Sequence, residues 1–184
     1  QALAPISRSD LALRSRPASP PLQISLGCAA ESLMIAAGAA GGAQAQSGLP
    51  EAASGKTVER AYDDVRFDLE SAIVNRGLVI DYVSHIGDML ARTGADVGSE
   101  ATIFTKAESM LFCSARLSRA AMEAAPGNIA FCPYAVFFYE TPDQPGKVTV
   151  GYRRLDETGS DASKKALAEV NALLAEIVAE ATGE

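Results

Sequence analysis

The sequence predicts an α+β domain, an antiparallel sheet of about four to five strands packed by helices and finished by a long amphipathic C-terminal helix. Three observations carry that prediction. Val148, Val150 and Tyr152 alternate along a short run, the period-two signature of a strand with one buried face. Leu167, Val170, Leu174, Ile177, Val178 and Ala181 share one helical stripe, while Lys164, Lys165, Glu169, Glu176 and Glu180 lie mostly elsewhere. Between residue 56 and these elements, short β-branched and aromatic runs mix with short helical ones, a pattern of helices packed on a sheet.

In chain order, Lys56 to Tyr62 reads as a first strand with Val58 on one face. Asp63 and Asp64 suit the start of a helix, where negative charge meets the positive end of the backbone dipole. Val65, Leu69, Ala72 and Ile73 make its apolar stripe, and Gly77 is a stop signal. Leu78 to Val83 is β-branched and aromatic, hence a strand. Ser84 is the expected cap of a short helix through Ile86, Met89 and Leu90 to Gly94, followed by a polar loop from Asp96 to Glu100. Ala101 to Lys106 fits no single pattern. Ser109 to Cys113 reads as a strand with Met110 and Phe112 on one face, and Ser114 to Ala125 as an Ala-rich helix ended by Pro126 and Gly127. Ile129 to Glu140 is the most apolar stretch, and Pro133, which has no N–H for a ladder, marks a bulge or the strand entry. Thr141 to Gly146 is a turn.

The chain of 184 residues is 48% hydrophobic and 21% charged, enough for one core. Its formal charge is -7, and beyond the N-terminal region Lys and Arg do not cluster. Nucleic acid is therefore a poor partner, since phosphate recognition needs concentrated positive charge. The part from 56 onward has no uncharged apolar run long enough to span a bilayer. The sequence lacks C-x-x-C, H-E-x-x-H, a Walker loop, a G-x-G-x-x-G fingerprint and a G-x-S-x-G elbow, so no recognisable catalytic motif assigns an enzyme activity.

Residues 1–50 differ from the rest, and the predicted domain occupies 56–182. Arg8, Arg14 and Arg16 precede an apolar stretch from Leu33 to Ala40 that ends in Ala43-Gln44-Ala45. Basic start, apolar centre and A-x-A end are the parts of a secretory signal, with cleavage expected after Ala45 and a periplasmic or secreted product. A flexible Ala/Gly/Pro tail is the plainer alternative. Cys28 lacks the preceding apolar run that a lipid-attachment site needs.

Phe112-Cys113-Ser114-Ala115, Ser118, Met122, Ala125-Pro126, Asn128-Ile129, Phe131-Cys132-Pro133-Tyr134, Tyr139-Glu140 and Val150-Gly151-Tyr152-Arg153-Arg154 form a dense pattern. It resembles the cysteine-bearing branch of the bacterial family called domain of unknown function 302, over roughly residues 56 to 160. His85 falls where that family often has a histidine. The resemblance implies a TATA-binding-protein-like α+β fold and a homodimer. It implies no reaction, and because many members lack the cysteines it transfers no catalytic role to them.

If the strands flanking the 113–132 segment are antiparallel neighbours, its short helix returns the chain to the same end and sets Cys113 beside Cys132, within the ~4.4–6.8 Å Cα separation of a disulfide. In an exported protein such a pair oxidises, and a structural staple is the first reading. The second is a thiol-redox or soft-metal site, with Met110, His85 or Met89 as further ligands and copper or haem as the cofactor. Core packing is the plainer role for both methionines, and a cap or satisfied side chain for a lone histidine. His85, Met110, Ser114 and Tyr134 are the candidate ligand-pocket residues. Tyr134, Tyr139, Tyr152, Arg153 and Arg154 could face a small-molecule cleft or a second subunit; half-buried strand tyrosines and solvated arginines are the plainer description. The sequence itself predicts no cofactor.

Overall fold

A computed structural model describes residues 48–184. The signal-like segment, its cleavage position and Cys28 lie outside the described residues.

Within the described residues five strands form one antiparallel sheet: β1 (Ala53–Glu59), β2 (Val79–Ser84), β3 (Lys106–Cys113), β4 (Tyr134–Glu140) and β5 (Lys147–Arg153), in spatial order β1-β5-β4-β3-β2. Among the described residues four α-helices accompany them: α1 (Tyr62–Val74), α2 (Ile86–Thr93), α3 (Ala115–Ala124) and α4 (Asp161–Ala181). The α+β class, the antiparallel sheet and the long final helix are as the residues predict.

One face of the sheet makes the core. Met110 and Phe112 of β3, Tyr134, Val136 and Phe138 of β4, and Val148, Val150 and Tyr152 of β5 meet Val65, Leu69 and Ile73 of α1 and the apolar stripe of α4. The alternation read from Val148, Val150 and Tyr152 is thus the inward face of β5, and burying such side chains contributes on the order of 1.5–3 kcal/mol each. Tyr134 and Tyr152 are buried rather than half-buried, while Arg153 and Arg154 are exposed.

Several boundaries differ from the sequence expectation for local reasons. The first strand lies earlier: β1 ends at Glu59, and Tyr62 opens α1 by packing its ring on Phe138, 5.1 Å between centroids. His85, not Ser84, occupies the position before α2, and its side chain makes no capping bond. β3 begins at Lys106, three residues early, because its charged residues find partners at the sheet end. Pro126–Phe131 is a 3-10 helix rather than the start of a strand, and Pro133, joined to Cys132 by a cis bond, stands just before β4. Ser114 caps α3 as its residue type suggests, Oγ accepting from Leu117 N at 3.4 Å.

Two details hold the C-terminal layer. Asn171, buried in the middle of α4, clamps the chain after β5: Oδ1 accepts from Leu155 N at 2.8 Å and Nδ2 donates to Leu155 O at 2.9 Å. Gly55 of β1 faces Gly151 of β5 in register. A Cβ on Gly55 would run into the Val150 carbonyl, and one on Gly151 would sit 2.7 Å from the Phe137 ring. Both must stay bare for the strands to approach.

Candidate functional site

Two clusters of chemically capable side chains lie at opposite ends of β3. The first forms where β3 stops. Cys113 is its last residue, with Val79 of β2 directly across from it. The chain turns into α3, continues through the 3-10 helix and re-enters the sheet at Tyr134, opposite Phe112. Cys132, in extended conformation at the end of that helix, therefore returns to the same rim. The two sulfurs are 2.7 Å apart across 19 positions of sequence, and both residues are half-buried.

Hydroxyl groups reach this pair from one side. Ser118, one turn into α3, places Oγ 3.5 Å from Cys132 Sγ and 3.0 Å from the Tyr134 hydroxyl. The Tyr134 ring is fixed edge-on to Phe112, with centroids 6.3 Å apart. Burial raises the Tyr134 hydroxyl above its ordinary value, so it stays protonated and able to donate. Burial first, and the adjoining Cys132 sulfur second, push the Cys113 thiol up to about 12. Ser114, adjacent to Cys113, borders a cleft of about 420 Å³ with Leu78, Leu117 and Leu173, but its hydroxyl accepts from the helix backbone.

The other donors named for a metal at this rim are not brought to it. Met110 is fully buried in the core, and Met89 is exposed on α2. His85 sits beside the start of β3, five positions along the strand from Cys113, which is roughly 17 Å at ~3.4 Å per residue. Among the described residues, no group of three or more His, Cys, Asp or Glu could hold a metal ion. At the rim Cys113 and Cys132 thus offer two adjacent sulfurs, and none of Met110, Met89 or His85 adds a third donor beside them.

His85 belongs to the second cluster. Glu108, whose side chain is 15% exposed, accepts from His85 Nδ1 at 2.6 Å on one oxygen and from Arg66 Nε at 2.9 Å on the other. Arg66 also reaches Glu70 at 3.2 Å. Lys106 bonds both carboxylate oxygens of Asp63 at 3.0 and 3.1 Å and stands 5.1 Å from the Tyr62 ring centre. His85, Glu108, Arg66, Lys106, Asp63 and Asp88 line a cleft of about 270 Å³. Tyr62, 6% exposed, has a buried hydroxyl with no hydrogen-bond partner, and burial followed by the charge of Glu108 raises its pKa. With Nδ1–H donated to a carboxylate, the neutral His85 ring presents Nε2 as an acceptor.

Of this second group the sequence singled out His85 alone. Tyr62, Arg66 and Glu108 come from a helix and a distant strand, and no spacing connects them. Ser118 is marked in the sequence only by the family resemblance; a lone hydroxyl on an amphipathic helix carries no signal of its own.

The family model described as "Domain of unknown function DUF302" matches residues 55–181. A solved structure described as the crystal structure of uncharacterized conserved protein DUF302 from Bacillus stearothermophilus is similar with a TM-score of 0.59 and 12% identity, covering 72% of this chain and 99% of that one. At that identity the likeness is one of fold. No curated protein matches.

Proposed function

The chain belongs to the family of domain of unknown function 302, and within it we propose an exported accessory or binding domain whose Cys113 and Cys132 close into a structural disulfide. One observation carries this reading: the 2.7 Å approach of two sulfurs separated by 19 positions. Closing a loop of that length stabilises the folded state by about 3 kcal/mol through the entropy of the unfolded chain. The signal-like N-terminal segment supports an oxidising, periplasmic or secreted destination, where the bond persists. The test is mass analysis of protein from the exported fraction with blocked thiols. The reading requires Cys113 and Cys132 in one cross-linked peptide and a chain without its first 45 or so residues. Unmodified thiols at both positions in that fraction overturn it.

The hydroxyl chain favours a second reading. Ser118 connects Cys132 Sγ to a buried, protonated tyrosine, and both cysteines keep part of their surface. A purely structural staple needs neither feature. In this reading the pair cycles between dithiol and disulfide, and the measurement is its reduction potential. A value above about -300 mV, where the bond becomes labile, supports cycling, and a lower one supports the staple.

The proposal extends to a homodimer, supported by Tyr82, an exposed aromatic side chain on the edge strand β2. Light scattering at micromolar concentration reads the mass directly, and a monomer there removes the dimer.

A further inference from the structure

Building on the second, redox reading, we infer that Cys132 is the entering thiol and Cys113 the resolving one in exchange with the disulfide of a polypeptide partner. Position separates the two sulfurs. Cys113 ends a strand flanked in the sheet by β2 and β4, whereas Cys132 lies outside the ladder at the end of the 3-10 helix, with Ser118 Oγ in hydrogen-bond reach of its sulfur. Only a thiolate attacks a disulfide. A Ser118 hydroxyl pointing at Cys132 Sγ favours a thiolate there, whereas burial disfavours one on Cys113.

The partner class follows from what surrounds the sulfurs. Val79, opposite Cys113, is 71% exposed, and Ile129, whose carbonyl accepts from Cys132 N at 3.0 Å, is 63% exposed. Val79 thus stands in solvent across from Cys113, and Ile129 does so one 3-10 turn before Cys132 in the chain. Val79 shares the Cys113 side of the β2–β3 ladder, because directly opposed residues point the same way. A small charged disulfide such as oxidised glutathione gains little from two aliphatic side chains. An apolar stretch of polypeptide next to a disulfide buries them.

The exchange balances in two steps. Cys132 loses its proton to solvent, and its sulfur forms a bond to one partner sulfur as the partner's S–S bond breaks. The departing partner thiolate takes up a proton. Cys113 then gives up its proton and attacks Cys132 Sγ. The Cys113–Cys132 bond forms, the bond to the partner breaks, and the second partner thiolate is protonated. The chain is oxidised by two electrons and the partner's disulfide is reduced to a dithiol.

The test uses the reduced full chain at neutral pH with two probes, oxidised glutathione and a synthetic peptide carrying one internal disulfide flanked by leucines. Adducts are assigned to Cys28, Cys113 or Cys132 by peptide mass analysis. The expected result is a trapped mixed disulfide on Cys132 in Cys113→Ser and none on Cys113 in Cys132→Ser. Val79→Ser with Ile129→Ser, both surface changes, should slow the peptide by about 5-fold or more, the scale of a lost apolar anchor, and leave glutathione unchanged. Adducts forming first on Cys113 overturn the order of attack. Equal slowing of both probes, or of neither, overturns the polypeptide assignment. Failure of both probes to react at either position overturns the underlying redox reading instead.

Discussion

His85 Nδ1 lies 2.6 Å from Glu108 Oε1, and the opposite oxygen of the same carboxylate receives Arg66 Nε. One mostly buried acid thereby ties the start of α2 and the first turns of α1 to the beginning of β3.

Glu108→Ala should cost about 0.5–1 kcal/mol, because the guanidinium and imidazole that lose their shared acceptor are partly solvated. Urea denaturation reads that loss. In the intact protein, nitrogen NMR of the single histidine should show the Nδ1–H tautomer in the neutral ring. A destabilisation near zero, or the opposite tautomer, removes the tie.

Tyr62→Phe should be neutral or stabilise by up to about 1 kcal/mol. Its hydroxyl is buried without a partner, so the change removes an unpaid desolvation cost and keeps the ring against Phe138. The thermal midpoint measures it, and a clear loss of stability would mean that the hydroxyl is bonded in solution.

Asn171→Ala should lower stability by about 2–3 kcal/mol, since both backbone groups of Leu155 lose their partner where they are buried. Chemical denaturation of the variant against the parent decides; a change below the error of the method would show that Leu155 finds other partners.

The alkaline limb of stability should depend on the state of the cysteines. The Cys113 thiol is raised in the folded chain from an ordinary 9.0 to about 12. The folded state therefore holds a proton that the unfolded chain releases above pH 9. Stability from this group is fully present below pH 9 and is lost as pH rises through 12. Reduced protein should show that loss, and the cross-linked protein, which has no thiol there, should lack this contribution. Denaturant titrations of both forms at rising pH compare the slopes.

The residues reveal those parts of this molecule that repeat at a regular period. Val148, Val150 and Tyr152, and the Leu167-to-Ala181 stripe, are written at periods of two and of 3.6, and burial enforces both. Lys106 and Glu108 obscure the start of β3, because charged residues are read as loop until Asp63, Arg66 and His85 are seen to pair with them. Ile129 and Phe131 look like strand, yet Pro126 and Gly127 set up a 3-10 helix that leaves Ile129 in water. The same holds at the rim. Topology alone brings Cys113 and Cys132 together, while the Ser118 bridge and the distance of His85 depend on where helices start, which period does not encode.

The order in which the strands stand in the sheet has a bearing on how the chain is made. Among the described residues β1 precedes the other four strands in the chain, yet its partner in the sheet is β5, ending at Arg153. Its edge must wait while α1, β2, β3 and β4 are synthesised, because a pairing of such long sequence separation closes late and slowly. Until then a small-residue strand with bare Ser54 and Gly55 is held open, and the nascent protein is exposed to capture by other chains for as long as translation of that interval takes.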